Sequence, residues 1–129
     1  MREIKFRAWD DVEEQMVYVN YLSWKYPSGL EVNGKNVCLP ETLMQYIGLK
    51  DKNGKEIYEG DILIGSEVYD VREDGTPEID IYFVEWDDYN ASFICRLSGE
   101  TVGDNFECID YSDLEVAGNI YEDKDRFED

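Results

Sequence analysis

A mainly β fold is predicted, with an N-terminal β-hairpin subdomain, a C-terminal SH3-like small barrel and few short helices. Three features of the chain support it. Ten Tyr, three Trp and five Phe suit strands, because bulky planar groups pack well on a pleated, half-buried surface. Short apolar runs, several of them alternating with polar residues, give the period of a strand with one buried face. Gly and Asn-Gly steps separate these runs at short intervals, as hairpin turns require.

Taken in order, Ile4-Lys5-Phe6-Arg7-Ala8-Trp9 alternates apolar and basic residues, and Met16 to Leu22 returns after the polar turn Asp10 to Glu14. Residues 4 to 22 therefore read as a hairpin. Pro27-Ser28-Gly29 and Asn33-Gly34 are turn chemistry, with short strands expected at 30–32 and 36–39 around the second turn. Leu43 to Leu49 and Glu56-Ile57-Tyr58 flank Asn53-Gly54, a strong short-range hairpin signal. Glu59-Gly60-Asp61 then opens the strand Ile62-Leu63-Ile64, a tight entry of the kind a small SH3-like barrel uses. After the turn signal Asp74-Gly75-Thr76-Pro77, strands are expected at 79–86, 91–97, 106–109 and 114–120. Brief helical turns are expected near Pro40 to Met44 and Tyr111 to Leu114, and the acidic stretch Tyr121 to Asp129 is expected to fray. Two subdomains follow, 1–48 and 49–129. Trp9 and Trp86, on alternating strands, are expected in the core.

Charge narrows the function classes. The net charge is -19, and it is uneven: residues 1–64 carry 8 Lys+Arg against 11 Asp+Glu, residues 65–129 carry 4 against 20. Such a field repels phosphates, so direct binding to nucleic acid or to an anionic membrane surface is not expected. No apolar run is long enough for a transmembrane helix, and the opening residues lack the apolar region of a signal peptide. With an odd set of cysteines, Cys38, Cys95 and Cys108, free thiols and a cytoplasmic location are the expectation.

Each constellation that could carry chemistry fails a specific requirement. There is no His and no Cys-x-x-Cys, so neither a structural zinc site nor a His-activated nucleophile is expected. Asp51-Lys52-Asn53-Gly54 starts like a calcium loop, but its Gly arrives two residues early and its flanks read as strands. No Gly-rich phosphate loop occurs. With 31 acidic residues carboxylate pairs carry no signal, and Glu56, Glu59, Asp61, Asp87 and Asp88 read as turn and rim residues. No catalytic, cofactor-binding or metal-ligating residue is nominated, and no cofactor is expected.

Three blocks of the chain do form a pattern. Arg2-Glu3-Ile4-Lys5-Phe6-Arg7-Ala8-Trp9-Asp10 opens it, Leu43 to Ile62 is its centre, and Asp113-Leu114-Glu115-Val116-Ala117-Gly118-Asn119-Ile120-Tyr121-Glu122 closes it. In this order they resemble the YopX-like proteins of bacteriophages and prophages, whose members are mostly described as uncharacterised. The resemblance implies a β-rich fold with an SH3-like C-terminal part, and it brings no catalytic residue to carry over.

The function expected is that of a non-catalytic protein-interaction module acting in the cytoplasm of an infected or lysogenic bacterium. Its partner would be a protein, and a homo-oligomer is allowed. Candidate contacts are Trp24 and Tyr26, aromatics beside Pro27 in a weakly patterned stretch, and the carboxylates Glu85, Asp87 and Asp88. Two alternatives stay open. One is a small-ligand binder or carboxylate-dependent enzyme with a cleft between the subdomains. The other is an acidic DNA mimic, in which Asp70, Glu73, Asp74, Asp80, Glu85, Asp87 and Asp88 stand in for phosphates.

Overall fold

A computed structural model of the chain describes residues 3–25, 29–71, 73–75, 77–106 and 113–127. Two compact units result, Met1–Gly48 and Leu49–Asp129. Both are β structures, and the helical element of the first is a single 3-10 turn, Pro40–Thr42. No helix among the described residues is long and apolar enough to cross a membrane.

In the first unit β1 (Phe6–Asp10) lies between β2 (Gln15–Tyr18) and β6 (Leu43–Lys50), antiparallel to both. The expected hairpin thus forms, with Trp9 opposite Met16. Asp10 shapes its turn by accepting the backbone N–H groups of Val12 and Glu13 at 3.0 and 3.1 Å. The alternation in β1 predicts one wet face, yet Arg7 is buried along with Ala8. Successive side chains of a strand point to opposite faces, so both faces of β1 are covered at this point. A second sheet comprises β3 (Leu22–Lys25), β4 (Gly29–Val32) and β5 (Asn36–Cys38) in that order. Ala8, Val32 and Cys38 form a buried cluster, against which Val17, Val19 and Leu43 pack. The core of this unit is small, which leaves several large apolar side chains at its surface.

The second unit is larger. β6 ends in the turn 51–55, and β7 (Glu56–Tyr58) returns from it. Gly54 sits at φ +80 with open space where a Cβ would be, so backbone conformation alone selects glycine there. The main sheet has five strands in the order β11-β10-β9-β8-β12. They are β8 (Asp61–Val71), β9 (Pro77–Asp87), β10 (Ser92–Leu97), β11 (Asp104–Asn105) and β12 (Glu115–Asn119). β8 runs well past the apolar segment that announced it, and a register irregularity separates its Ser66–Ile79 pair from its Val71–Pro77 pair. Ile62, Leu63, Phe83, Val84, Cys95 and Leu114 are buried; Ile62 and Phe83 lie on one face of the sheet and Leu63, Val84 and Cys95 on the other. Among the described pairings the sheet is open, with β11 and β12 at its ends; barrel closure is not part of them.

Two expectations are corrected here. Trp86 is 44% exposed and lies edge-on against Phe93 at 5.0 Å, so it sits at the uncovered end of β9, on the same face as the buried Val84; Trp9 is only half-buried. The acidic segment after β12 does not fray as far as Phe127. Asn119 Oδ1 accepts the N–H groups of Tyr121 and Glu122, and Asp123 accepts the N–H of Asn119. Arg126 and Phe127 donate back to the Asp123 carbonyl. The side-chain acceptors in a run that reads as solvated charge hold it in turns. Residues 107–109 of the strand expected at 106–109, residues 111–112 of the turn expected at 111–114, and Cys108 lie outside the described residues.

Candidate functional site

The buried carboxylates come first, since they would carry any acid–base chemistry. Asp51 is 6% exposed, and its Oδ1 accepts the N–H groups of Asn53 and Lys55 at 2.9 and 2.8 Å. Its Oδ2 accepts the N–H of Val116 at 2.8 Å, 65 residues away. Burial would raise its pKa, but these donors from Val116, Lys55 and Asn53, with the Lys55 charge, hold it below the usual carboxylate range. Asp61 accepts the Tyr58 N–H at 2.8 Å. Asp10 accepts the Asn36 side-chain amide at 2.8 Å, which with its two backbone donors lowers its pKa despite burial. All three are structural acceptors occupied by N–H groups, and Asp10 and Asp51 are held ionised, which is the opposite of a poised general acid.

Two hollows accompany them, one in each unit. In the first unit, a cavity of about 390 Å³ is rimmed by Asp10, Glu13, Gln15, Lys35 and Asn36. In the second, one of about 300 Å³ lies beside Tyr82, Cys95, Glu100 and Asp104. The Cys95 thiol is pushed up to about 12 by burial and by the Asp104 charge, so it is not a nucleophile at neutral pH. Among the described residues no group of three or more His, Cys, Asp or Glu side chains is placed to hold a metal ion.

Two of the three carboxylates nominated as contacts have intramolecular work. Glu85, on β9, takes a two-pronged bond from Arg96 on β10, at 2.6 Å from Nε and 3.2 Å from the second nitrogen. Arg96 also lies over the Phe83 ring, and its third nitrogen donates to the Glu100 carbonyl. Asp87 caps the β9–β10 turn, accepting from the Tyr89 N–H and the Asn90 side chain, and the Asn90 bond leads in lowering its pKa. Asp88 is exposed in that turn. Tyr26 lies outside the described residues.

Trp24 is different. It is 65% exposed on β3, whose four residues are all exposed. Among the described strands β3 pairs only with β4, so it is the edge of its sheet. The register sets which backbone groups that edge presents. Asn33 donates its N–H to the Tyr21 carbonyl, which makes 21/33 a hydrogen-bonded pair. Alternation then gives Ser23/Glu31 and Lys25/Gly29 the next bonds to β4. The N–H and C=O groups of Leu22 and Trp24 therefore point away from β4. Their side chains share the face of Leu30 and Val32, which are buried. Nearby Tyr18 and Tyr21 are also exposed. An open edge with an apolar face at its rim is a template for another extended chain. Sequence reasoning found Trp24 but not Leu22 or the edge, because edges are a property of pairing.

The chain matches the YopX protein family over residues 5–128. No curated protein matches it. Among solved structures, it is similar to protein EF1440 from Enterococcus faecalis, at 23% identity and a TM-score of 0.59, over 99% of this chain and 100% of that one. That likeness is one of fold. With nearly the whole length matched, the chain belongs to the YopX family.

Proposed function

We propose that this YopX protein is a non-catalytic protein-interaction module, working in the cytoplasm of an infected or lysogenic bacterium, and that it makes contact through the open edge of β3. The observation that carries this reading is the pairing of unclaimed backbone groups at Leu22 and Trp24 with exposed apolar side chains on the same residues. Main-chain bonds to a sheet edge supply affinity, and alternate side chains supply selectivity. The other readings have less support. Asp10, Asp51 and Asp61 are occupied by N–H groups, and in the mimicry reading Glu85 is already paired with Arg96.

The test compares capture from phage-infected cells by the wild-type protein, a Trp24→Ser variant and a Glu73→Gln/Asp88→Asn variant. Trp24 is exposed enough for its replacement to leave the core intact. Proteins retained by the wild type and the amide variant but lost with Trp24→Ser support the edge. Proteins lost only with the amide variant overturn it in favour of the acidic surface.

A further inference from the structure

The open edge of β3 has a chemistry that is complementary to itself. The two residues whose backbone groups point outward, Leu22 and Trp24, are separated by one residue, Ser23. An antiparallel strand that meets this edge forms its hydrogen-bonded pairs at those two positions. If the arriving strand is another β3, a twofold axis through Ser23 places Leu22 opposite the partner's Trp24 and Trp24 opposite the partner's Leu22. Both outward donors and both outward acceptors of each copy are then used.

Side chains agree with the backbone in that register. Residues directly opposite share a face, so Leu22 and Trp24 of each copy meet on the side where Leu30 and Val32 are already buried. On the other face Lys25 comes opposite the partner's Tyr21. Both are exposed, Lys25 being paired with Glu31, and an ammonium beside an aromatic face is attractive. Two lysines do not face each other. The small Ser23 falls at the axis, where an antiparallel non-hydrogen-bonded pair brings chains closest.

Charge favours the same surface. The unit that carries β3 has 5 Lys+Arg and 7 Asp+Glu, whereas residues 49–129 have 7 and 24. Two copies with a net charge of -19 each approach at least electrostatic cost through their near-neutral units. We propose that the chain forms a twofold homodimer in which two β3 strands pair through Leu22 and Trp24, joining two three-stranded sheets into one of six strands. Such a contact is isologous, with the same patch used by both copies. It rests on the reading of β3 as a contact surface and names the partner as a second copy of this chain.

The experiment measures solution mass by light scattering and sedimentation, from micromolar to sub-millimolar protein, together with oxidative cross-linking of engineered cysteines. The wild type is expected to approach twice its 15.1 kDa mass as concentration rises. Trp24→Glu, which sets two carboxylates near the axis, is expected to stay at the single mass with an unchanged β-type circular dichroism spectrum. Ser23→Cys is expected to cross-link into a dimer under mild oxidant, since opposed non-bonded pairs bring Cα atoms within disulfide range. Tyr21→Cys is not, because that residue lies several positions from its own mate. A wild-type mass that stays single at every concentration, or a dimer that survives Trp24→Glu, overturns the proposal. So does cross-linking of Tyr21→Cys in place of Ser23→Cys. If the wild type is monomeric and Trp24→Ser still abolishes capture of another protein, only the self-pairing falls. If neither mass nor capture responds at Trp24, the edge reading falls with it.

Discussion

Replacing Asp51 tests the account of how the second unit is held together. Asp51→Asn is nearly isosteric, and its remaining oxygen can still accept from Asn53 and Lys55, as Oδ1 does at 2.9 and 2.8 Å. The new amide group then faces the Val116 N–H that Oδ2 accepts at 2.8 Å, donor against donor. A bond to a charged acceptor contributes about 1.5–3 kcal/mol, and a donor left facing another donor costs a comparable amount. With partial relaxation, a loss of about 2–3 kcal/mol follows. The unfolding entropy of 129 residues is about 0.27 kcal/mol/K, so melting falls by roughly 10 °C. Calorimetry and urea unfolding read this directly. The pH dependence has a definite sign. The folded pKa of Asp51 lies below its ordinary value, so its stabilisation is complete above the unfolded pKa and fades as pH falls through the folded one. The gap between wild type and Asp51→Asn therefore narrows below about pH 4. A variant within about 0.5 kcal/mol of wild type, or a gap that ignores acidification, would refute the role assigned to Asp51.

Other perturbations follow from the same geometry. Gly54→Val, with space for the side chain but φ at +80, destabilises by about 1–2 kcal/mol from backbone strain alone. Gly60→Val, at φ +87 in a buried turn, costs more; equal melting temperatures for either variant and the wild type would contradict the turn geometry. Cys38 and Cys95 are buried free thiols whose pKa values are raised by burial, Cys95 to about 12. Iodoacetamide at pH 8 leaves both unmodified in the native protein, and both react once it is unfolded; rapid native labelling at Cys95 would refute its burial. A double-mutant cycle of Glu85→Gln with Arg96→Gln yields a coupling of about 0.5–1 kcal/mol that weakens in salt, while zero coupling would show the pair to be incidental.

Local chemistry was legible in the sequence. The β1–β2 hairpin, the strands around Asn33-Gly34 and the 51–55 turn each depend on neighbours a few residues apart, and all are present. Residues whose meaning depends on distant partners were not legible. Asp51 is recognisable as a turn-forming Asp, but nothing near it announces Val116. Glu85 and Arg96 are 11 residues apart, and their pairing depends on the β9–β10 register. Trp86 looked like core because its strand alternates, but alternation does not say how far along a strand the cover reaches: Val84, on the same face, is buried and Trp86, next to the strand end, is not. Leu22 drew no attention for a related reason, since only the sheet order makes β3 an edge.

The central claim is that recognition occurs through the backbone edge of β3. Residue-resolved amide hydrogen exchange, measured at low and high protein concentration and with a captured partner, addresses it most directly. The account predicts that the Leu22 and Trp24 amides exchange fast in the dilute protein and become protected on association, with β9 and β10 unchanged. Slow exchange at Leu22 and Trp24 in the dilute monomer, or protection confined to residues 85–90, would contradict it.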